Sequence, residues 1–497
     1  MGQKGFHLQR LSHSGPFGLE RQPGGTARVL THILHFLPAL VSIVCLFLFT
    51  HLLGPASLGG FGLACVLLLV LALLATSWIK SAQSTLLAEF RNSGHEAELF
   101  TTSLVLALST SLLFSVSGLI LLSRFPVPGS HTALRTGLLS LPLLALFCPL
   151  SLEGGPNQRL ARRLVLTLGM ATGVLLMARL KLDSSALFSG PAIIAGIWLL
   201  AAPGQFRLAD LRKFNSALAL RLLKTGIPSV LPRLCLPLTA LAGGFIMNVL
   251  YGSFAVGVYA FGWALALCLV QLSRALLPGD VPSNLPFPML SQRLNRFVRI
   301  ALPATVMFFL LSFNLTRLAL PAAWSNVASV IPWFAASAAG YGFSRYAATP
   351  LLCAGRHGRY LRLMASAVGV NLVLCLLLVP MLGLQGAAMA ETLTIAMVCL
   401  SLVSAAQEHS AWRFRRADLV IPATGSIVIF GVHLGLAHLF VTSMWALLLE
   451  VLIGGAGYWA ACLLADRLAV SDLPSQFGQL WRRGAAGLTR LAAVDRP

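Results

Sequence analysis

The chain has 497 residues, of which 57% are hydrophobic and 10% charged, and its mean hydropathy is +0.83. Soluble globular domains carry about a quarter charged residues, and disorder needs low hydrophobicity with high charge, so both classes are excluded. A polytopic membrane protein remains, with room for more than a dozen spans at about 20 apolar residues each. Lys and Arg number 36 against 15 Asp and Glu, a net charge of +21. Such a balance is compatible with nucleic-acid binding, but membrane proteins concentrate Lys and Arg in cytoplasmic loops, so the positions of the charges decide.

In chain order, fourteen apolar stretches of bilayer length stand between Gly, Pro or charged residues. They run 29–50, 59–79, 99–122, 133–150, 163–179, 185–203, 226–250, 255–277, 298–318, 327–352, 362–380, 384–406, 418–440 and 443–465. The connections are too short to hold a folded soluble catalytic domain. With the N-terminus inside, the N-tail, 80–98, 151–163, 204–225, 279–299, 353–362, 407–417 and the C-tail are cytoplasmic and hold 28 of the 36 basic residues. The outer connections hold five, Arg124, Arg135, Arg179, Lys181 and Arg317, and three more, Arg233, Arg274 and Arg345, lie inside spans. This asymmetry predicts that both termini are cytoplasmic.

The same distribution disfavours nucleic acid as a partner, because the basic residues are spread over short loops without an aromatic stacking platform. Anionic membrane lipids account for them. The N-tail has no small-residue cleavage site after a short apolar core and reads as uncleaved. The nine cysteines lie in or beside spans without CxxC or metal-type spacing, so they read as small apolar packers. His433 and His438 are not at i, i+4, and no metal or other cofactor is expected. Asn248, Asn314 and Asn371 read as interhelical hydrogen-bonders.

Shifting the sequence by 197 residues lays His51-Leu-Leu-Gly-Pro-Ala-Ser-Leu-Gly-Gly60-Phe-Gly over Asn248-Val-Leu-Tyr-Gly-Ser-Phe-Ala-Val-Gly257-Val-Tyr. The copies are six spans apart, hence of like orientation, which predicts two parallel lobes related by an axis along the membrane normal. The expected fold is all-α, with about 14 transmembrane helices in two six-helix lobes plus two C-terminal helices. The organisation is a tail over 1–28, an N-terminal lobe over 29–203, a basic linker over 204–225, a C-terminal lobe over 226–406, two helices over 407–465 and a tail over 466–497. The 208–223 part of the linker is amphipathic enough to lie on the inner surface.

Leu52-Leu-Gly-Pro-Ala-Ser-Leu-Gly-Gly-Phe resembles the "LLGPxxFG" turn of polysaccharide flippases, and Gly226-Ile-Pro-Ser resembles their "GxP" start of span seven. Ala255-Val-Gly-Val-Tyr-Ala is similar to their "xVGxYA", and Leu384-Gln-Gly-Ala-Ala-Met-Ala390, after Asn371-Leu-Val-Leu and Pro380, to their "GxxGAAxA". Over about 29–406 the chain therefore resembles the Wzx-type flippases of the multidrug/oligosaccharidyl-lipid/polysaccharide (MOP) exporter superfamily. The resemblance implies an inner-membrane protein that moves an undecaprenyl-diphosphate-linked oligosaccharide to the outer leaflet by alternating access. It implies lipid-linked oligosaccharide as substrate, and a polysaccharide polymerase and chain-length or export proteins as partners. Pro228, Pro232 and Pro237 in span seven and His32, His35 and His51 in or beside span one depart from the family pattern.

Ionisable groups inside a bilayer are costly and mark the candidate sites. Arg233 and Arg345 lie roughly 10 Å from the cytoplasmic ends of their spans, and Arg274 and Lys80 lie close to theirs. Facing the seam between lobes, the four would form a basic vestibule for a diphosphate, which guanidinium binds bidentately. Facing lipid, they would snorkel to the inner headgroups. Pro232 and Pro237 make span seven a candidate hinge. Of the two acids well inside spans, Glu391 is the candidate ion-coupling residue and Glu450 reads as a hydrogen-bonded structural carboxyl.

A multidrug/cation antiporter of the same superfamily would want acids in spans one and seven, which carry none; a lipid II flippase would share the cationic-cavity logic. A polymerase or glycosyltransferase would need a large outer loop or a surface acidic pair, and an ATP-driven pump a GxxxxGK[ST] loop. Neither is present, so a transporter rather than an enzyme is expected.

Overall fold

The computed structural model describes residues 25–124, 131–145, 156–180, 186–201, 211–276, 287–354, 356–407, 416–437 and 443–470, and within these it is helical nearly throughout. The helices are α1 (Gly25–Leu52), α2 (Pro55–Ala72), α3 (Trp78–Asn92), α4 (Glu96–Arg124), α5 (His131–Ala145), α6 (Pro156–Leu180) and α7 (Ala186–Ala201), then α8 (Ser216–Leu276), α9 (Phe287–Ala319), α10 (Ile331–Cys353), α11 (His357–Leu382), α12 (Leu384–Gln407), α13 (Arg416–Ala437) and α14 (Met444–Val470). Among the described residues seven helical segments are long and apolar enough to cross a membrane, and shorter apolar helices lie at Leu37–Leu52, Leu168–Leu180, Phe188–Ile197 and Pro422–Leu436. The protein is a multi-pass membrane protein.

Glycine and proline set the boundaries. Pro55 at the first position of α2 lacks the N–H that a helix start leaves unbonded anyway, and Gly54 before it is extended (φ −68°, ψ 162°). Helical hydrogen bonding runs on through α8 to Leu276, but Gly252 (φ 75°, ψ −179°) breaks it into limbs of residues 216–251 and 253–276. That backbone is strained for any residue with a Cβ. Gly94 (φ 75°) and Gly383 (φ 57°) turn the chain between α3 and α4 and between α11 and α12. A single π turn, Leu73–Ser77, joins α2 to α3; the Ala75 carbonyl accepts the Thr110 hydroxyl of α4 at 2.7 Å.

The tightest junction is between α2 and the second limb of α8. A Cβ on Gly59 would fall 2.0 Å from the Ser253 carbonyl oxygen, and one on Gly257 would fall 1.8 Å from that of Pro55. Gly62 meets Ala260 in the same way, with 2.4 Å between a Gly62 Cβ and that of Ala260. The contact is reciprocal: Gly59 meets Ser253 and Gly257, Gly257 meets Pro55 and Gly59, and Gly62 meets Ala260, so 59 pairs with 257 and 62 with 260, each partner lying 198 residues on. The sequence alignment by 197 had placed Gly60 over Gly257. In the structure the two backbones meet at Gly59 and Gly257, one residue from that pairing.

Residues 211–225 are not a separate surface helix. Leu211–Lys213 form one tight turn, and from Ser216 the chain is already α8, continuous past Gly226 and Pro228. Asn215 caps α8 by accepting the N–H groups of Ala217 (2.9 Å) and Leu218 (3.1 Å), and it donates to Glu98 at 2.6 Å. Leu218, Leu222, Val230 and Leu234 pack with Trp78, Ile79, Ala82 and Leu86 of α3 and with Leu99 of α4, which explains the apolar stripe in the linker. Gly226 lets this limb close on α3, since a Cβ there would lie 2.3 Å from the Trp78 carbonyl oxygen. At the exposed edge, Arg221 donates to both carboxylate oxygens of Glu89, at 2.9 and 2.7 Å.

At the C-terminal end of α1, the Trp324 indole donates to the Thr50 carbonyl at 3.1 Å and packs on Phe261, which also meets Phe47 edge-on. His51 bonds the Ala319 carbonyl at 3.2 Å. At the far end of the chain, α13 and α14 form a pair docked on α9 through the Tyr458 hydroxyl, which donates to the Arg299 carbonyl.

Two expectations follow. Gly257→Ala destabilises the fold by about 1–3 kcal/mol, because backbone rather than a flexible side chain must yield. Gly431→Ala, in α13 with open space around it, is neutral or stabilising; thermal unfolding in detergent compares the two. Hydrogen bonding to Arg221 holds the Glu89 carboxyl below its usual range. The pair therefore supports docking of α8 on α3 at neutral pH, and that support is lost as pH falls through the lowered value. Hydrogen exchange over 216–225 should rise at acid pH in the native chain. Arg221→Ala should raise it already at pH 7, and 1 M salt should shrink the difference.

Candidate functional site

Two groups of polar side chains stand out within the apolar helices around α8. The first is basic. Arg233 on the first limb of α8 and Arg345 on α10 are both exposed, and each lies within electrostatic reach of the other and of the half-buried Tyr360 on α11. Among the described residues neither arginine has an acidic partner. The two charges act on each other although their spans are more than a hundred residues apart in sequence.

The local sequence explains the setting of Arg233. Pro237 lacks the N–H that would bond the Arg233 carbonyl, and Pro232 likewise frees that of Pro228. Lys80 is exposed on α3, and its ammonium makes no hydrogen bond or ion pair among the described residues. Arg274 lies in the last turns of α8 by its backbone, with a side chain outside the described residues. Of the four basic residues singled out in the sequence, the structure brings together two.

The second group is buried. Glu391 of α12 is 1% exposed, and its two carboxyl oxygens have partners on different helices. Oε1 meets the Thr239 hydroxyl of α8 at 3.1 Å, and Oε2 accepts from the Asn371 amide of α11 at 3.2 Å. The same amide donates to Thr394 Oγ1 at 3.3 Å, and Cys375 donates to Asn371 Oδ1 at 3.6 Å. The Tyr259 hydroxyl is buried nearby, within electrostatic reach of Glu391 and Cys375, and has no hydrogen-bond partner among the described residues. A cavity with room for about one water molecule opens on this cluster, lined by Cys235, Thr239, Tyr341, Glu391 and Thr394 among others.

A carboxyl bridging three helices in a low-dielectric interior can bind or release one cation while leaving its neighbours in place. Asn371 takes the interhelical role expected of it. Thr239, Thr394, Tyr259 and Tyr360 were not picked out in the sequence; only their position on a buried or shared helix face distinguishes them from other Thr and Tyr residues.

Glu450 of α14 is hydrogen-bonded to His433 of α13, the neighbouring-helix partner expected for it. Among the described residues no three His, Cys, Asp or Glu side chains come together to hold a metal. The described cysteines are all free, and most are buried. Cys148 and His438 lie outside the described residues.

No protein-family model matches the chain, and no curated protein matches its sequence. Solved structures do match its fold. The lipid II flippase MurJ in an inward closed conformation aligns with TM-score 0.66 at 14% identity, over 90% of this chain and 99% of that one. A multidrug resistance MATE family transporter of the MOP superfamily, in an inward-facing conformation, aligns with TM-score 0.57 at 14% identity, over 76% of this chain and 100% of that one. A MOP superfamily transporter from Pyrococcus furiosus, described as having a binding pocket of reverse polarity, aligns with TM-score 0.51 at 14% identity, over 76% and 96%. The chain has the fold of these membrane transporters.

Asn371→Ala would leave Glu391 Oε2 and Thr394 without their donor in a buried site, so a loss of about 1–3 kcal/mol is expected. Asn314→Ala, on a partly exposed part of α9, should cost less; chemical or thermal unfolding in detergent measures both.

Proposed function

We propose that this protein is a flippase that moves an undecaprenyl-diphosphate-linked oligosaccharide from the inner to the outer leaflet of a bacterial inner membrane. Fourteen helices cross the bilayer with both termini cytoplasmic, and lobes 29–203 and 226–406 alternate about the α2–α8 crossing. The product serves assembly of a surface or exported polysaccharide, with the polymerase and the chain-length or export proteins as downstream partners. Anionic lipids hold the basic loops at the inner face.

The observation that carries this reading is the pair Arg233 and Arg345, both exposed on membrane helices, within electrostatic reach of each other and without an acidic partner among the described residues. Two guanidinium groups facing hydrocarbon would be costly, whereas in a water-filled seam they form a site for a doubly charged phosphate group. In this reading Lys80 and Arg274 are further candidates for contact with the diphosphate. A multidrug antiporter moving organic cations would be repelled by the same pair. Glu391 is the ion-coupling residue.

A second reading, a lipid II flippase, is favoured by one observation: the MurJ structure matches over more of the chain than the MATE structure does. Both substrates carry a polyprenyl diphosphate, and the basic pair serves either.

Deletion of the gene separates the readings. A completed lipid-linked repeat unit should accumulate on the cytoplasmic side while surface polysaccharide disappears. Lysis with accumulated lipid II would instead establish the second reading, and unchanged lipids with raised sensitivity to cationic drugs would overturn both. Complementation with Arg233→Ala or Arg345→Ala should restore flux about ten- to a hundredfold less well than the native chain, as expected for loss of a charge-assisted hydrogen bond.

A further inference from the structure

Thr239 carries a single hydroxyl hydrogen but meets two oxygens: the Leu236 carbonyl at 2.7 Å and Glu391 Oε1 at 3.1 Å. The shorter contact, a back-bond within its own helix, takes that hydrogen. Thr394 is committed in the same way to the Ala390 carbonyl at 2.7 Å, so towards Asn371 it can only accept. The two amide hydrogens of Asn371 then go to Glu391 Oε2 and to Thr394, and its oxygen accepts from Cys375. With every hydrogen assigned, one contact lacks one, that between Glu391 Oε1 and Thr239. It is a hydrogen bond only if the carboxyl itself donates.

We infer that Glu391 binds a proton rather than a metal cation, and that Thr239 passes its protonation state to the proline-rich limb of α8 that bears Arg233. The inference deepens the reading of Glu391 as the ion-coupling residue and rests on it. A sodium ion needs several convergent oxygens, but here Asn371 turns its amide nitrogen to the carboxyl and the adjoining space holds about one water. The groups facing Glu391 are Thr239, Cys235 and Tyr259 of α8, Tyr341 of α10, Asn371 and Cys375 of α11, and Thr394 of its own helix. Among the described residues no Lys, Arg, His or second acid interacts with it.

On deprotonation the Glu391 hydrogen passes to water in the cavity, and Oε1 becomes an acceptor. The Thr239 hydrogen then turns from the Leu236 carbonyl to the carboxylate. The back-bond is lost in the stretch where Pro237 already leaves the Arg233 carbonyl without its helical N–H. A hydroxyl back-bond bends the helix that makes it, so proton release changes the bend between Arg233 and Thr239 and joins the buried site to the basic one along a single limb.

Infrared difference spectroscopy of the purified full-length protein, titrated without substrate, tests the proton directly. A protonated-carboxyl C=O band should be present at neutral pH, disappear on alkalinisation and be missing in Glu391→Gln. Gln keeps both contacts, donating to Thr239 and accepting from Asn371. Thr239→Val, a second variant should the first fold poorly, should shift the band. Hydrogen exchange over 226–240, corrected for intrinsic rates, should change on alkalinisation in the native chain and stay flat in Glu391→Gln.

Absence of the band at every pH, or its loss on adding sodium at constant pH, would overturn the proton. Equal pH dependence of exchange in Glu391→Gln would overturn the coupling. Neither readout uses the lipid substrate, so intact surface polysaccharide in deleted cells would sink the oligosaccharide reading and leave the proton site standing.

Discussion

The rest of the structure depends on how closely two backbones approach where α2 crosses the second limb of α8. Between membrane helices there is little hydrophobic drive, since lipid tails are as apolar as leucine, so association must come from van der Waals contact and hydrogen bonds at short range. Gly59 and Gly257 provide that range by lacking side chains: each occupies the space beside a carbonyl of the opposite helix that a Cβ would fill. Gly226 does the same for the first limb of α8 against α3. One long element, kinked at Gly252, is thereby held against α2 by one limb and against α3 by the other. The helices α10, α11 and α12 then assemble on its remaining faces.

A second constraint follows from the first. Helices that pack this closely bury whatever polar groups lie on the shared faces, and a buried polar group without a partner is expensive. Hydroxyls therefore return to their own backbones, as Thr239 does to Leu236 and Thr394 to Ala390, or cross to a neighbour, as Thr110 does to the carbonyl at the π turn. Glu391 is the one acid placed inside this regime around α8 among the described residues, and it has a partner on each of two neighbouring helices. The other intramembrane acid, Glu450, meets the same demand with His433 outside the α8 assembly. Of the two, only Glu391 is wired to the limb that carries the basic pair.

Much of this was legible in the sequence because the bilayer makes it so. Helix falls within each of the fourteen apolar stretches, since in lipid a backbone has few other ways to satisfy its hydrogen bonds. Arg233, Arg345 and Glu391 stood out because a charge in an apolar run is rare whatever its surroundings. The Gly54-Pro55 and Gly252-Ser253 turns could be paired from composition alone, but their register could not. Gly59 and Gly60 are chemically the same residue, and only helix rotation decides which one faces Gly257. Rotation is likewise why Thr239, Tyr259 and Tyr360 passed unnoticed, and why the amphipathic stretch before Gly226 read as lying on a surface. Its apolar side is real, but it faces α3 and α4 rather than lipid.

The prolines of α8 belong to the same logic. A helix interior ordinarily excludes proline because each one removes a donor and strands a carbonyl. Three within ten positions leave the carbonyls of Lys224, Pro228 and Arg233 without their helical donors, along the part of the limb that docks on α3. Packing on α3 and on α11 and α12 holds a limb whose own hydrogen-bond ladder is interrupted, and Arg233 and Thr239 both lie beside the interruption at Pro237. A change of one hydrogen at Thr239 is small beside the energy of helix packing. Here it acts beside a turn that already lacks one backbone hydrogen bond, and so a proton on Glu391 can bear on the geometry of an arginine six residues away.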